Sequence, residues 1–319
     1  MAVDASPFSL EHAAPLARGK FRDPHRTNGG DERAFVDLDA LSTLWFNTGT
    51  LCNLACKSCY IESSPKNDAL AYITLAEVTA YLDEIAAHDM PTREIGLTGG
   101  EPFMNPDIIA IIQACLDRGF EVLVLSNAMR PMRRFEQELT QLRGRERLTI
   151  RVSLDHYTQP IHEQERGLSW DKAVDGLVWL AQSGFRIAVA GRYLEHEDDA
   201  QARAGFARLF AQLDLPIDTD DAAQMVLFPA MDDTADIAEI TTACWDILSI
   251  DPKTIMCASS RMVVKRKGDP SPRVAACTLL PHAKDFDLGA TLVEAQARVQ
   301  LNHPHCARFC VLGGASCSA

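Results

Sequence analysis

Ten cysteines occur in the 319 residues, and three of them are crowded into Leu51-Cys52-Asn53-Leu54-Ala55-Cys56-Lys57-Ser58-Cys59-Tyr60. The spacing is C-x3-C-x2-C on what reads as a loop. Such a loop can wrap one corner of an iron–sulfur cubane, each thiolate taking one iron. Three ligands for four irons leave one metal position open, and an open position lets a substrate coordinate. A zinc site or a group of buried thiols is the competing reading. Zinc knuckles, however, present C-x2-C pairs with distant partners, and a tight triple is awkward for a tetrahedral ion.

Further groups able to bind a ligand follow at regular intervals. In Thr98-Gly99-Gly100-Glu101-Pro102 two glycines allow close backbone approach, and the carboxylate can accept from an ammonium group. Alone, the stretch also reads as a turn before a helix. Ser126-Asn127 closes a β-branched run, and Ser153-Leu154-Asp155 closes another. His162-Glu163-Gln164-Glu165-Arg166-Gly167 comes next. The planar fork of Arg166 suits a carboxylate, and Arg192 is a further candidate for an anion. Asp155 is equally readable as a turn former.

Seven cysteines remain. Cys115, among Ile and Leu, reads as a small core residue, as does Cys244. Cys257, Cys277, Cys306, Cys310 and Cys317 fall in a loop-rich tail that contains a strand-like run, Arg261-Met262-Val263-Val264, and a Lys267-Gly268 turn. They could bind a metal centre, zinc included, with His303 or His305 as alternative ligands. The basic group Arg261, Lys265, Arg266 and Lys267 reads as a solvated turn.

The elements that must position these groups alternate in type. Predicted strands are Thr43–Asn47, Glu94–Thr98, Glu121–Ser126, Leu148–Leu154, Arg186–Ala190 and Met225–Phe228. Predicted helices are Thr74–His88, with Thr74 and Glu77 in a capping box, Asn105–Arg118, Arg133–Leu142, Trp170–Gln182, Asp199–Leu213 and Thr234–Leu248. Six βα units argue for a parallel sheet with crossover helices. The expected division is an N-terminal arm over 1–40 with little structure of its own, an α/β unit over 41–250, and a cysteine-rich extension over 251–319, too short for its own core.

The cysteine triple, its place after the first strand, Tyr60 and the GGEP stretch together resemble the radical S-adenosylmethionine (SAM) superfamily. The resemblance covers about residues 43–230 and implies a partial (β/α)6 TIM-like barrel. In that family the three cysteines hold a [4Fe-4S] cluster whose fourth iron is chelated by SAM. Reductive cleavage then releases a 5′-deoxyadenosyl radical that abstracts hydrogen from substrate. Catalytic and metal-ligand roles thus fall to Cys52, Cys56 and Cys59. Cofactor contacts fall to Tyr60, Gly99, Gly100, Glu101, Asn127, Ser153, Arg166 and Arg192.

The tail is similar to the twitch form of SPASM auxiliary-cluster domains. That likeness implies a second [4Fe-4S] cluster on Cys257, Cys277, Cys306 and Cys310, with Cys317 as a possible replacement. It departs from the pattern in its C-x3-C late pair and in the longer gap from the hairpin glycine to Cys277. An electron donor of flavodoxin or ferredoxin type is implied, and a small-molecule or peptide substrate. The arm before Leu41 is short for a leader-binding domain, which favours a small metabolite or a protein partner. A non-catalytic iron–sulfur or zinc protein is the reading from another class; it would not need the SAM-contact residues.

Bulk properties agree with an ordinary globular chain, 47% hydrophobic and 24% charged. The net charge of −13 argues against a general nucleic-acid binder. No apolar run has the length of a membrane span or signal peptide, so a cytoplasmic location is expected. In that reducing setting clustered cysteines read as ligands rather than disulfides.

Overall fold

The computed structural model describes residues 14–192, 197–228 and 234–314. After a two-residue strand β1 (Phe35–Val36), six strands run parallel, each beside the next: β2 (Thr43–Asn47), β3 (Glu94–Thr98), β4 (Glu121–Ser126), β5 (Leu148–Ser153), β6 (Arg186–Arg192) and β7 (Met225–Phe228). The expected alternation is therefore present, and the sheet is an open parallel one of the partial-barrel kind. Register aligns the strand ends: Asn47 lies opposite Thr98, and Ser126 opposite Val152.

Period-two alternation divides the sheet residues between two cores. Leu44 and Phe46 of β2, Ile95 and Leu97 of β3, and Val122 and Val124 of β4 pack under the crossover helices. Those helices are α1 (Leu75–Ala87), α2 (Ile108–Asp117), the short α3 (Arg130–Arg133) and α4 (Glu136–Gln141), α5 (Gln159–Arg166), α6 (Trp170–Gln182) and α7 (Asp199–Gln212). Trp45 and Leu123 point to the opposite, inner face and join the C-terminal residues there. Gly96 is glycine because a Cβ would stand 2.3 Å from the Trp45 ring.

Several expectations need correction. The helix expected over Thr234–Leu248 survives only as α8 (Cys244–Leu248), because residues 235–241 instead run extended against the N-terminal segment. Ala34 donates to the Ile240 carbonyl, and Arg33 ion-pairs with Glu239. The described part of the arm is thus packed rather than unstructured. The helix expected over Arg133–Leu142 begins at Arg130 and breaks between α3 and α4, and α5 was not foreseen.

The cysteine-rich tail has a core after all, shared with the inner face of the sheet. Its strand β8 (Ser260–Val264) lies parallel to β2 on the side away from β3, and β9 (Arg273–Ala275) returns antiparallel. A last strand, β10 (Val299–Gln300), pairs with β1. The tail therefore extends the same sheet. Arg261, expected on a solvated turn, is fully buried and donates to the carbonyls of Cys257, Ser260, Ala295 and Ala297.

Candidate metal and cofactor site

The cysteine loop leaves β2 through Asn47, whose Oδ1 accepts from the Gly49 N–H at 2.9 Å. Gly49 takes φ +115°, a conformation that side chains disfavour. The loop closes on itself where the Cys52 N–H donates to the Ser64 carbonyl at 3.1 Å. Backbone N–H groups are aimed at two of its sulfurs, Leu54 at Cys52 Sγ and Ser63 at Cys59 Sγ, both at 3.4 Å. Burial pushes the Cys52 thiol up to about 12 and raises Cys56 as well. Binding a cation must therefore displace protons from these thiols.

Gly99 and Gly100 follow β3 and show a constraint beyond ligand access. A Cβ on Gly100 would lie 2.3 Å from the Leu51 carbonyl oxygen, and one on Gly99 2.6 Å from that of Gly49. Gly100 and Glu101 also donate their N–H groups to Gly49 and Leu51. The two glycines thus seat the cysteine loop against β3.

Glu101 is wholly buried, and its carboxylate accepts from the Phe103 N–H, the Ser126 hydroxyl and the Asn127 N–H. Desolvation nevertheless pushes its pKa up to about 7. Three of its about four lone-pair positions are thus used inside the protein, and Glu101, next after Gly100, is not among the residues that line the cavity of the three cysteines. Asn127 Nδ2 reaches Asn53 Oδ1 at 2.9 Å and Cys52 Sγ at 4.0 Å, linking the end of β4 to the loop.

The other wall is an ionic clamp. Arg166, at the C-terminus of α5, donates to Asp155 at 2.8 Å, and Arg192 lies 3.4 Å from the other oxygen of Asp155. Burial disfavours a charged Asp155, yet Arg166 and Arg192 hold its carboxyl below the usual range. Arg192 reaches on to the Ser58 hydroxyl and carbonyl, and Ser58 donates to Glu165 at 2.7 Å. The loop between Cys56 and Cys59 is therefore held by the ends of β5, β6 and α5 together. His162 lies outside this arrangement: it faces Ser169, and burial drives its pKa down to about 4, so it is neutral.

Cys52, Cys56 and Cys59 line one cavity of about 100 Å³, together with Gly99, Gly100 and Arg166. Tyr60, Asn127, Ser153 and Arg192 line it too. A second cavity of about 80 Å³ shares Tyr60, Leu125, Ser153, Arg166 and Arg192 with the first and is otherwise lined by Arg151, Asp155, Ala190, Phe228, Leu279 and Phe309. Phe228, Leu279 and Phe309 were not singled out from sequence, since each resembles ordinary core. Arg151, a charge inside the strand LTIRVS, was the one visible signal. Among the described residues no three His, Cys, Asp or Glu side chains converge as a single ion requires. The triple surrounds a space rather than a point, which fits a multi-atom body.

Cys257, Cys277 and Cys306 are all buried, and Cys277 and Cys257 lie near enough to Cys306 to raise its pKa. Burial, then Cys277 and Cys257, push Cys306 well up, and burial lifts Cys257 to about 11. Cys310 lies four residues beyond Cys306 on a π-type turn (Cys306–Val311) and is half-buried. Leu279 and Phe309, neighbours of Cys277 and Cys310, face the second cavity. Cys317 lies outside the described residues. Cys115 is core as expected, whereas Cys244 is only half-buried and bonds to Thr241. His303 is taken up by the His305 N–H.

The profile of the radical SAM superfamily matches residues 46–203. The antilisterial bacteriocin subtilosin biosynthesis protein AlbA of Bacillus subtilis is 32% identical over 141 residues, 44% of this chain and 30% of AlbA. The AdoMet-dependent heme synthase of Methanosarcina barkeri is 28% identical over 140 residues, 43% of this chain and 38% of that enzyme. The matched stretch thus spans about a third of these relatives' own length. In fold the chain is similar to SuiB of Streptococcus suis, solved with its precursor peptide SuiA. The TM-score is 0.58 at 11% identity, covering 80% of this chain and 63% of SuiB.

Proposed function

This chain belongs to the radical SAM superfamily, and from that premise we propose that it is a SAM-cleaving enzyme that modifies a peptide side chain by hydrogen abstraction. One observation carries the reading. The cavity lined by the three cysteines adjoins, across the shared Tyr60, Leu125 and Ser153, a mostly apolar second cavity suited to a substrate C–H group. AlbA acts in the biosynthesis of a bacteriocin, and SuiB binds a precursor peptide. Both favour a peptide over a small metabolite.

Cys52, Cys56 and Cys59 hold the cluster in this reading. Glu101 accepts from the SAM ammonium, Gly99 and Gly100 form the adjoining backbone wall, and Arg166 or Arg192 pairs with the SAM carboxylate. Asn127, Ser153 and Tyr60 complete the SAM contacts. When bound, the cluster supplies the electron that breaks the SAM sulfonium bond and so yields a hydrogen-abstracting carbon radical. The protein's part is to orient SAM and exclude water, and the apolar wall of Phe228, Leu279 and Phe309 suits that task.

Cys257, Cys277, Cys306 and Cys310 hold a second [4Fe-4S] cluster beside the substrate cavity. The electron donor is a small flavodoxin- or ferredoxin-like protein. Anaerobic reconstitution, dithionite and SAM should release 5′-deoxyadenosine from the wild type and none from Cys56→Ala. Iron and sulfide near eight each per chain in the wild type should fall to about four in Cys277→Ala. Zinc at the late cysteines, or a loaded cluster indifferent to SAM, would refute these assignments.

A further inference from the structure

Ser63 carries a hydroxyl that no described residue bonds. Its residue is 6% exposed, its Oγ has no hydrogen-bond partner among the described residues, and it lines the cavity of the three cysteines. A buried hydroxyl left unbonded is costly, whereas alanine would fill the same backbone position at no such cost. The local chain explains its aim. The Glu62 N–H donates to the Cys59 carbonyl at 2.8 Å, closing a turn, and Glu62 takes φ +55°. The next residue is thereby returned over Cys59, and the Ser63 N–H meets Cys59 Sγ.

The donors around the triple are unequal. Among the described residues Cys52 has the Leu54 N–H and Asn127 Nδ2, while Cys59 has the Ser63 N–H. A hydroxyl in that place offers one more proton to sulfur. Hydrogen bonds to cluster sulfurs stabilise the more negative, reduced state and so raise the reduction potential.

We infer that Ser63 is a potential-setting residue: its Oγ–H donates to sulfur of the cluster seated on Cys59. The inference rests on the reading that Cys52, Cys56 and Cys59 hold a cluster. It concerns redox poise and assigns Ser63 no part in bond making.

The test is a redox titration followed by electron paramagnetic resonance, on wild type, Ser63→Ala and Ser63→Thr in the full chain. The signal that changes on adding SAM identifies the cluster concerned. Ser63→Ala should load the same iron as wild type. At the potential where the wild type is half reduced, its ratio of reduced to oxidised cluster should fall about tenfold. Ser63→Thr, which keeps the hydroxyl, should return to within about twofold of wild type. Equal iron and equal midpoints in wild type and Ser63→Ala overturn this inference alone. Iron lost from Ser63→Ala makes the hydroxyl structural and overturns it as well, as does a threonine variant that behaves like alanine. A wild type that binds no iron at the triple overturns the cluster reading and this inference together.

Discussion

Glu101 and Asp155 are both buried carboxylates at strand ends, and their surroundings drive them in opposite directions. Asp155 faces two arginines and stays ionised. Glu101 has neutral donors around it, and desolvation wins, leaving its pKa at about 7. The folded value therefore lies above the ordinary 4.5, and folding takes up a proton between those two pH values. Stability is highest below about 4.5 from this group and declines as pH rises towards 7, by about 3 kcal/mol at most. Urea midpoints of the metal-free protein at pH 5 and pH 8 should show that decline, and Glu101→Gln should remove most of it. In the loaded protein the sign reverses for SAM. On the proposal that Glu101 accepts from its ammonium, the ionised carboxylate is needed, so affinity should rise through pH 7 in wild type and be flat in Glu101→Gln. A wild-type SAM affinity with no such rise refutes the ammonium role of Glu101.

At the scale of elements, what was legible followed from local physics. Strands β2 to β7 declared themselves as short, mostly apolar runs alternating with helical patterns, and α1 through its capping box at Thr74 and Glu77. Residues 234–243 carried helix-compatible residues, yet pairing with Ala34 and Glu32 drew them into an extended path. No local pattern encodes that partner, because it stands some two hundred positions away. The same holds for Arg261, whose charge suggested a surface but whose partners are carbonyls brought together by the tail. The GGEP stretch was legible as a site, but the closeness of Gly100 to Leu51 required the fold. Gly100→Ala should consequently push the cysteine loop off β3. A cost of about 1–3 kcal/mol is expected for such overpacking, read as a lowered Tm. Iron retained per chain after desalting should fall much further than stability does. Unchanged iron with a lowered Tm would show that the loop can tolerate the shift.

The α5 helix adds a second hold on the same loop. Glu165 accepts from both the Lys57 N–H and the Ser58 hydroxyl, while Arg166 and Arg192 converge on Asp155. Asp155→Asn keeps the shape but leaves two largely buried cations facing one another. Removing one partner of a buried ion pair costs about 3–5 kcal/mol. Partial access of Arg192 to solvent puts this site nearer the lower figure. Denaturant unfolding measures the loss, and a coupled fall in 5′-deoxyadenosine release is expected on the proposal that the SAM carboxylate shares these arginines. Full release from a destabilised Asp155→Asn would separate the clamp from SAM binding.

Across the whole molecule, the two ends of the described chain meet on the inner side of the sheet. Strand β8 lies beside β2, and β10 pairs with β1. Glu239 gathers the N-terminal stretch: it accepts from the Phe21 and Asn28 N–H groups at 2.6 Å and pairs with the fully buried Arg33. Among the described residues no helix is long and apolar enough to cross a membrane. The inner core is shared by the sheet strands and the late cysteines, so the tail is expected to unfold together with the sheet. Unfolding by urea should therefore proceed in one transition by both tryptophan fluorescence and circular dichroism. Arg33→Met strips Glu239 of its countercharge and should lower stability by about 3–5 kcal/mol. Burial raises the Glu239 pKa, but the two N–H donors and Arg33 outweigh it and hold the carboxyl below its usual range. That contribution is present above an unfolded pKa of about 4.5 and is lost as pH falls through the lower folded value. The destabilisation by Arg33→Met should shrink accordingly in acid. Two separated transitions in wild type, with the first removed by Arg33→Met, would instead make the tail and its cysteines a unit that folds apart from the sheet.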